Sequence, residues 1–283
     1  MMTLEANSLS LAYEKTTIVH NLALTISKGE ITTLVGPNGC GKSTLLRGFA
    51  RLLKPKSGNV VLDGRAIHHM PTKALAKELG ILPQSPNAPE GLTVYELVAQ
   101  GRYPHQGFFQ QWSHEDERIA QEALSITHMH ELANRPLDTL SGGQRQRAWI
   151  AMALAQDTPI LLLDEPTTYL DIGHQIEVME LVQSLNRKRK MTILLVLHDL
   201  NQAARYSDRM VVMQQGKIVA DGPPQAMMTP QLLADVFKVQ VSVITDPMSG
   251  KPVCLPYGIA GQTRQEIRPP VNGNGRIREK QRS

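Results

Sequence analysis

Apolar and polar residues alternate over 3–11 and 18–26, the two-residue period of half-buried strands. Ile31 to Val35 is a short, unbroken apolar run ahead of glycines. That pattern predicts a strand covered on both faces, with a helix from Lys42. Val60 to Leu62, followed by Asp63-Gly64, reads as strand and turn. Ile160 to Leu163 and Thr192 to Leu197 read as further buried strands. Pro159 has no N–H for a ladder, which suits the start of the first of these. Val211 to Met213 and Lys217 to Ala220 flank Gln214-Gln215-Gly216 as a hairpin.

Between Ser85 and Leu140 the period changes. Thr93-Val94-Tyr95-Glu96 is a capping box, with Leu92 and Leu97 as its staple. Ser113 caps a second helix with Ile119, Ala120, Ala123 and Leu124 on one face. The chain therefore reads as an α/β core with a mainly parallel sheet, interrupted by a helical insertion. No internal repeat is visible. From Gln262 the chain is polar and basic, and it is expected to be poorly ordered.

Composition adds bounds. The 283 residues, 41% hydrophobic and 20% charged, suit one large domain or a domain carrying an insertion. No apolar run approaches the ~20 residues that span a bilayer. The first ten residues lack the pattern of a signal peptide. Two cysteines form no disulfide framework, so a reducing cytosol is the simplest setting. A net charge of +4 permits nucleic acid or anionic lipid as a partner without arguing for either.

Gly36-Pro37-Asn38-Gly39-Cys40-Gly41-Lys42-Ser43 fits the G-x-x-x-x-G-K-S/T phosphate loop between a strand and a helix. Its glycines let backbone N–H groups converge on an anion, and the helix start adds positive potential. Lys42 would neutralise β- and γ-phosphates, and Ser43 would ligate Mg2+. Cys40 reads as a small filler; a thiol beside a helix N-terminus is also expected to ionise more readily than a free one. Asp164 and Glu165 end a buried strand as adjacent acids, which need partners there. Asp164 is the candidate Mg2+ ligand and Glu165 the candidate general base. His198 follows a strand whose C-terminal edge is where ligands of parallel sheets bind. It is a candidate for orienting the water, although a histidine there can also cap the next helix. Gln84 stands where core becomes insertion and is a candidate for touching Mg2+ or the water. It also reads as a plain loop glutamine. For Tyr13, stacking on adenine and plain packing both stay open.

Leu140-Ser141-Gly142-Gly143-Gln144-Arg145-Gln146-Arg147 opens another helix. Ser141 and Gln144 fit a capping box. Two glycines in a first turn cost up to ~1 kcal/mol each relative to alanine. A simple cap does not need them; a backbone approaching phosphate does.

These segments, with Leu170-Asp171 and His198, come in the order found in ATP-binding cassette (ABC) ATPases, which the chain resembles over about 3–240. The resemblance implies a P-loop NTPase core of the ABC type, with an N-terminal antiparallel β subdomain and an inserted α-helical subdomain. The core would comprise 1–84 and 141–240, the insertion 85–140, a C-terminal extension 241–261 and a basic tail 262–283. It implies ATP and Mg2+ as cofactors, with Thr44 completing the phosphate loop. It further implies that Ser141, Gly142, Gly143 and Gln144 close over the ATP of a second copy, that Tyr13 stacks on adenine, and that Asp171 lies at the dimer contact. Two ATP molecules would then be shared across a two-fold interface.

Val98 to His105, Ala148 to Met152 and Leu197 to Ala203 resemble ATPases of ferric-siderophore and vitamin B12 importers, the ferric enterobactin type above all. That implies a peripheral subunit on the cytoplasmic face of the inner membrane. It would work with separate transmembrane permease subunits and, indirectly, a substrate-binding protein. The insertion would be the contact surface, moved by Gln84. Importers of vitamin B12, haem or another metal chelate are alternatives. An ABC ATPase acting on nucleic acid or ribosomes is the rival of another class; one cassette and no sustained heptads speak against it, and no nucleic acid partner is expected. The basic tail, including Arg276, Arg278, Lys280 and Arg282, reads as a solvated end, with anionic lipid as the rival. Arg187 to Lys190 ends an amphipathic helix with Ile176, Met179 and Val182 inward. His128 and His130, two apart on one expected helix, make a poor metal pair, and His68-His69 lacks companion ligands.

Overall fold

The computed structural model describes residues 3–107 and 112–261. Strands β1 (Leu4–Tyr13) and β2 (Thr16–Ile26) pair antiparallel, and β3 (Ile31–Val35) leads through a glycine loop into α1 (Lys42–Phe49). The strands β4 (Ser57–Leu62) and β5 (Arg65–Ala66) complete a four-stranded sheet in the order β2-β1-β4-β5. Helix α2 (Thr72–Glu78) runs directly into β6 (Leu79–Leu82). Helices α3 (Val94–Gln100), α4 (His114–Ile126) and α5 (Gly142–Ala155) pack on one another. Alternation then follows: β7 (Ile160–Asp164), α6 (Ile172–Arg189), β8 (Thr192–Val196), α7 (Leu200–Tyr206). The hairpin β9 (Arg209–Gln214) and β10 (Lys217–Gly222) precedes α8 (Pro224–Met227) and α9 (Pro230–Phe237), and β11 (Val239–Thr245) and β12 (Pro252–Ile259) pair antiparallel at the end.

The second sheet has the order β10-β9-β3-β8-β7-β6, parallel except for β10. Every residue of β3, β7 and β8 is buried. Alternate side chains of one strand enter different cores. Leu34, Leu162 and Leu194 join Leu45, Phe49 and Val60, whereas Val35, Leu163 and Leu195 join Val98, Trp149 and Val182. A strand with two apolar faces has no period, which is why these segments read as unbroken runs.

The parallel strands point their C-terminal ends the same way. Those ends release the phosphate loop after β3, Gln84 after β6, Glu165 after β7 and His198 after β8. The capping box expected at Thr93 and the cap expected at Ser113 are both formed, and Ser113 goes further, with Asp116 completing a box of its own.

Two elements carry no sequence signal, and two expectations change. Strand β6 and the hairpin β11–β12 had no clear signal. Ile176 is exposed at 43%, while Met179 and Val182 are buried, so the inward face of α6 begins a turn later. His128 lies beyond the end of α4 with φ 55°, and His130 is in a separate 3-10 turn, so the two share no helix. The expectations for the basic tail fall on 262–283, outside the described residues.

The β9–β10 turn buttresses the phosphate loop. Gln215 and Gly216 have φ of 48° and 73°, the pair of positive angles a two-residue hairpin turn uses. Gly216 N–H donates to Cys40 O at 2.9 Å, and His20 N–H donates to Gly216 O at 3.0 Å. A Cβ at Gly216 would lie 1.9 Å from Ile18 O. Gly216→Ala is therefore expected to destabilise the protein by about 2–3 kcal/mol, read as a lower thermal midpoint. A midpoint equal to the parent's would contradict this.

Candidate active site

The phosphate loop is folded round its own lysine. Lys42 Nζ donates to Gly36 O at 2.9 Å and Pro37 O at 3.2 Å. Gly36 has φ 153°, and a Cβ there would meet Met213 O at 2.2 Å and Cys40 Sγ at 2.8 Å. Gly41, φ 105°, turns the chain into α1. Cys40 is thus a plug under the loop, 4% exposed. Burial pushes its thiol up, and the Lys42 charge only partly offsets this. The expectation of an easily ionised thiol is corrected, because exclusion of water outweighs the helix terminus. Thiol reagents should modify Cys40 far more slowly than a free cysteine unless the protein is unfolded, as mass spectrometry would record.

A cleft of about 410 Å³ opens over this loop, lined by Tyr13, Asn38, Gly39, Lys42, Ser43, Thr44, Glu165 and His198 among others. Tyr13 is 41% exposed at its edge, and its hydroxyl accepts from Arg47 Nη1 at 3.1 Å. Pro37 lies in the same loop.

Ser43 Oγ donates to Asp164 Oδ1 at 2.8 Å. Burial pushes the Asp164 carboxyl up; the Ser43 hydrogen bond opposes this, and the neighbouring Glu165 charge adds to it. The charges of Arg47 and Lys42 also pull it down, and exclusion of water outweighs them.

Glu165 is the hub. Gln84 Nε2 donates to Oε2 at 2.5 Å and Thr168 Oγ1 donates to the same oxygen at 3.1 Å. His198 Nε2 contacts Oε1. A carboxylate only accepts, so this contact assigns the proton to Nε2. The Glu165 backbone is left-handed, φ 53°, a conformation costing roughly 1–2 kcal/mol in a residue with a Cβ, and its N–H is held by Val196 O at 3.1 Å. His198 does not cap α7: Asp199 does, accepting from Asn201 and Gln202 N–H. Five residues singled out in sequence, Ser43, Gln84, Asp164, Glu165 and His198, therefore meet at one end of the sheet.

The second glycine loop lies elsewhere, since residues 141–144 do not line this cleft. Ser141 caps α5, Gln144 reaches back, and both halves of the box are formed. The glycines differ. Gly142 is exposed, and a Cβ there would find only Leu170 Cδ2 at 3.7 Å. Gly143 is buried, and a Cβ would strike the His174 ring at 2.2 Å. The cap itself needs neither glycine; packing against His174 gives Gly143 a second reason to be glycine, and Gly142 has no such neighbour. Asp171 caps α6, a role the sequence reading missed although Asp171 and His174 stand at cap spacing.

A strand, a glycine loop over a lysine, a carboxylate pair at the end of β7 and a second glycine loop at the start of α5 define an ATP-hydrolysing cassette. The sequence profile of the ABC transporter family matches residues 19–168, and the chain belongs to that family. It is 54% identical over 264 residues to the petrobactin import ATP-binding protein FpuD of Bacillus anthracis, covering 93% of this chain and 97% of that one. To the ferric enterobactin transport ATP-binding protein FepC of Escherichia coli it is 49% identical, covering 90% and 94%. Among solved structures it resembles a dimeric bacterial ABC transporter cassette, TM-score 0.69 at 31% identity, covering 78% of this chain and 98% of that one. A post-hydrolysis form of that cassette, bound to ADP and phosphate, matches equally.

The chain thus has the ABC ATPase fold, and its cofactor is ATP. Among the described residues no helix is long and apolar enough to cross a membrane. The hydroxyl of Ser43, the buried Asp164 carboxylate and the amide of Gln84 offer the oxygen donors that Mg2+ takes.

Proposed function

We propose that this chain powers uptake of an iron(III)-siderophore through separate membrane-spanning subunits, at the cytoplasmic face of the cell membrane. Support for the substrate class comes from relatives at 49–55% identity, which are ATP-binding proteins of petrobactin, siderophore, iron(3+)-hydroxamate, achromobactin and ferric enterobactin import or transport. The chain never touches the siderophore in this reading, so no residue here selects it. The core would be 1–84 with 141–240, and the insertion 85–140 would face the permease.

The observation that carries the hydrolytic reading is the Glu165 hub. Lys42 and the backbone N–H groups of the phosphate loop hold the β- and γ-phosphates, and Tyr13 stacks at the adenine end. Ser43, Asp164 and Gln84 would hold Mg2+, which neutralises charge on the phosphate oxygens when bound. Glu165 takes a proton from the attacking water. His198 holds one Glu165 oxygen and Gln84 the other, fixing the carboxylate plane. Gln84 begins the segment leading into the insertion, so a change at the phosphates alters the Gln84–Glu165 contact and moves the surface beyond it. Ser141, Gly142 and Gln144 meet the partner's ATP, with Asp171 at the two-fold contact. The exposed Gly142, without an intramolecular reason to be glycine, supports that placement.

Capture of the tagged full chain from native membranes tests the reading. Co-purification of a polytopic membrane protein, together with a binding protein that retains ferric chelates, is expected. Recovery with ribosomes or DNA-bound proteins alone would contradict it.

A further inference from the structure

Gly143 stands in the first turn of α5, and the ring of His174 fills the space where its side chain would be. A Cβ on Gly143 would lie 2.2 Å from His174 Cδ2 and 2.6 Å from Cγ. The imidazole is also held by the loop before α6. Its Nδ1 lies 2.8 Å from Asp171 Oδ2, and the His174 backbone N–H donates to Asp171 Oδ1 at 3.0 Å. Two more bonds anchor the same turn. Gln175 Nε2 donates to Leu170 O at 2.9 Å, and Gln202 Nε2 donates to Gln175 Oε1 at 2.5 Å. Gln202 sits in the first turn of α7, the helix that follows His198. One helical turn therefore touches the start of α5, the Asp171 loop and the helix behind His198.

A planar ring between a glycine and a carboxylate is a wedge with a fixed thickness. Where it stands, the ring blocks a methyl at Gly143, and its 2.8 Å bond to Asp171 holds the partly exposed imidazole in that place. Gly142 has no such neighbour, so the start of α5 is held on its inner side and open on its outer one.

We propose that His174 is a positioning residue, whose imidazole ties Gly143 and Asp171 into one rigid edge and thereby sets where Ser141 and Gly142 meet the partner's nucleotide. This rests on the two-fold reading above and adds an intramolecular contact to it. Hydrolysis needs both halves of the site in register, and a displacement of about 1 Å costs on the order of a hundredfold in rate.

The test compares the full-length parent with Gly143→Ala, His174→Ala, the double variant and His174→Gln. The readouts are kcat and KM for MgATP, ATP affinity of the single protomer, and thermal midpoint. Gly143→Ala is expected to lower kcat on the order of a hundredfold, because its methyl drives the ring and α5 apart. His174→Ala is expected to lower kcat about tenfold with KM and single-protomer affinity unchanged, because the phosphate loop is untouched. The double variant should recover to the level of His174→Ala, since the clash is gone. His174→Gln keeps a donor toward Asp171 and should regain most of the turnover. A double variant no faster than Gly143→Ala, or a His174→Ala variant with the parent's kcat, would overturn the proposal. Rescue accompanied by altered ATP affinity of the single protomer would uphold the wedge and contradict the two-fold reading. Absence of rescue while ATP still drives dimer formation would overturn the wedge and leave that reading standing.

Discussion

Glu165→Gln is expected to lower ATP turnover roughly a thousandfold while ATP stays bound, the range a positioned general base contributes. The substitution keeps the shape of the side chain and removes its capacity to take a proton. Its neighbours are Gln84 Nε2, Thr168 Oγ1 and His198 Nε2, all placed to donate. An amide satisfies only part of that set, so Gln84 or His198 must turn away or reverse its polarity. Binding is spared because Glu165 makes none of the hydrogen bonds that hold Lys42 in the loop. The variant should accumulate as an ATP-loaded dimer, seen as a doubling of mass by light scattering. Turnover at the parent's rate would put the base elsewhere.

Lys42→Ala is expected to weaken ATP binding on the order of a hundredfold, since a charged hydrogen bond contributes about 1.5–3 kcal/mol. Lys42 is buried at 5% exposure, and its ammonium rests on the carbonyls of Gly36 and Pro37 inside the curve of the loop. A phosphate cradled by the same loop would take over that ammonium from two neutral acceptors. Alanine removes the only lysine or arginine side chain lining the cleft among the described residues. Calorimetric titration measures the loss; an unchanged Kd would contradict the assignment.

The chemistry was legible where it is local. Gly36 to Ser43, the acids after Ile160 to Leu163, the capping boxes at Thr93 and Ser141 and the cap at Ser113 each occupy a few consecutive residues. Their physical reasons, such as φ above zero, converging N–H groups and cap geometry, act over the same short range. What escaped the sequence depends on distant neighbours. Strand β6 is four residues long, follows a helix without a turn and contains Gly80; only pairing with β7 makes it a strand. The hairpin β11–β12 carries Pro252 and Pro256 and exposes much of its surface, which blurs alternation. Cys254 packs into the main core, and the Asn201 side chain bonds both its N–H and its C=O. Cys40 looked ionisable from its place beside a helix start, and the residues packed beneath the loop reversed that. Gly143 looked like a phosphate contact alone until His174, a residue of the next helix, appeared beside it.

The two-fold sharing of ATP is tested most directly by a structure of the full-length Glu165→Gln variant with MgATP. The distance to measure runs from Ser141 Oγ to the nearest γ-phosphate oxygen. Hydrogen-bond range, about 2.7–3.2 Å, to an ATP held by Lys42 of the partner subunit is the predicted result. Ser141 lying far from every triphosphate, or against the ATP of its own phosphate loop, would contradict it.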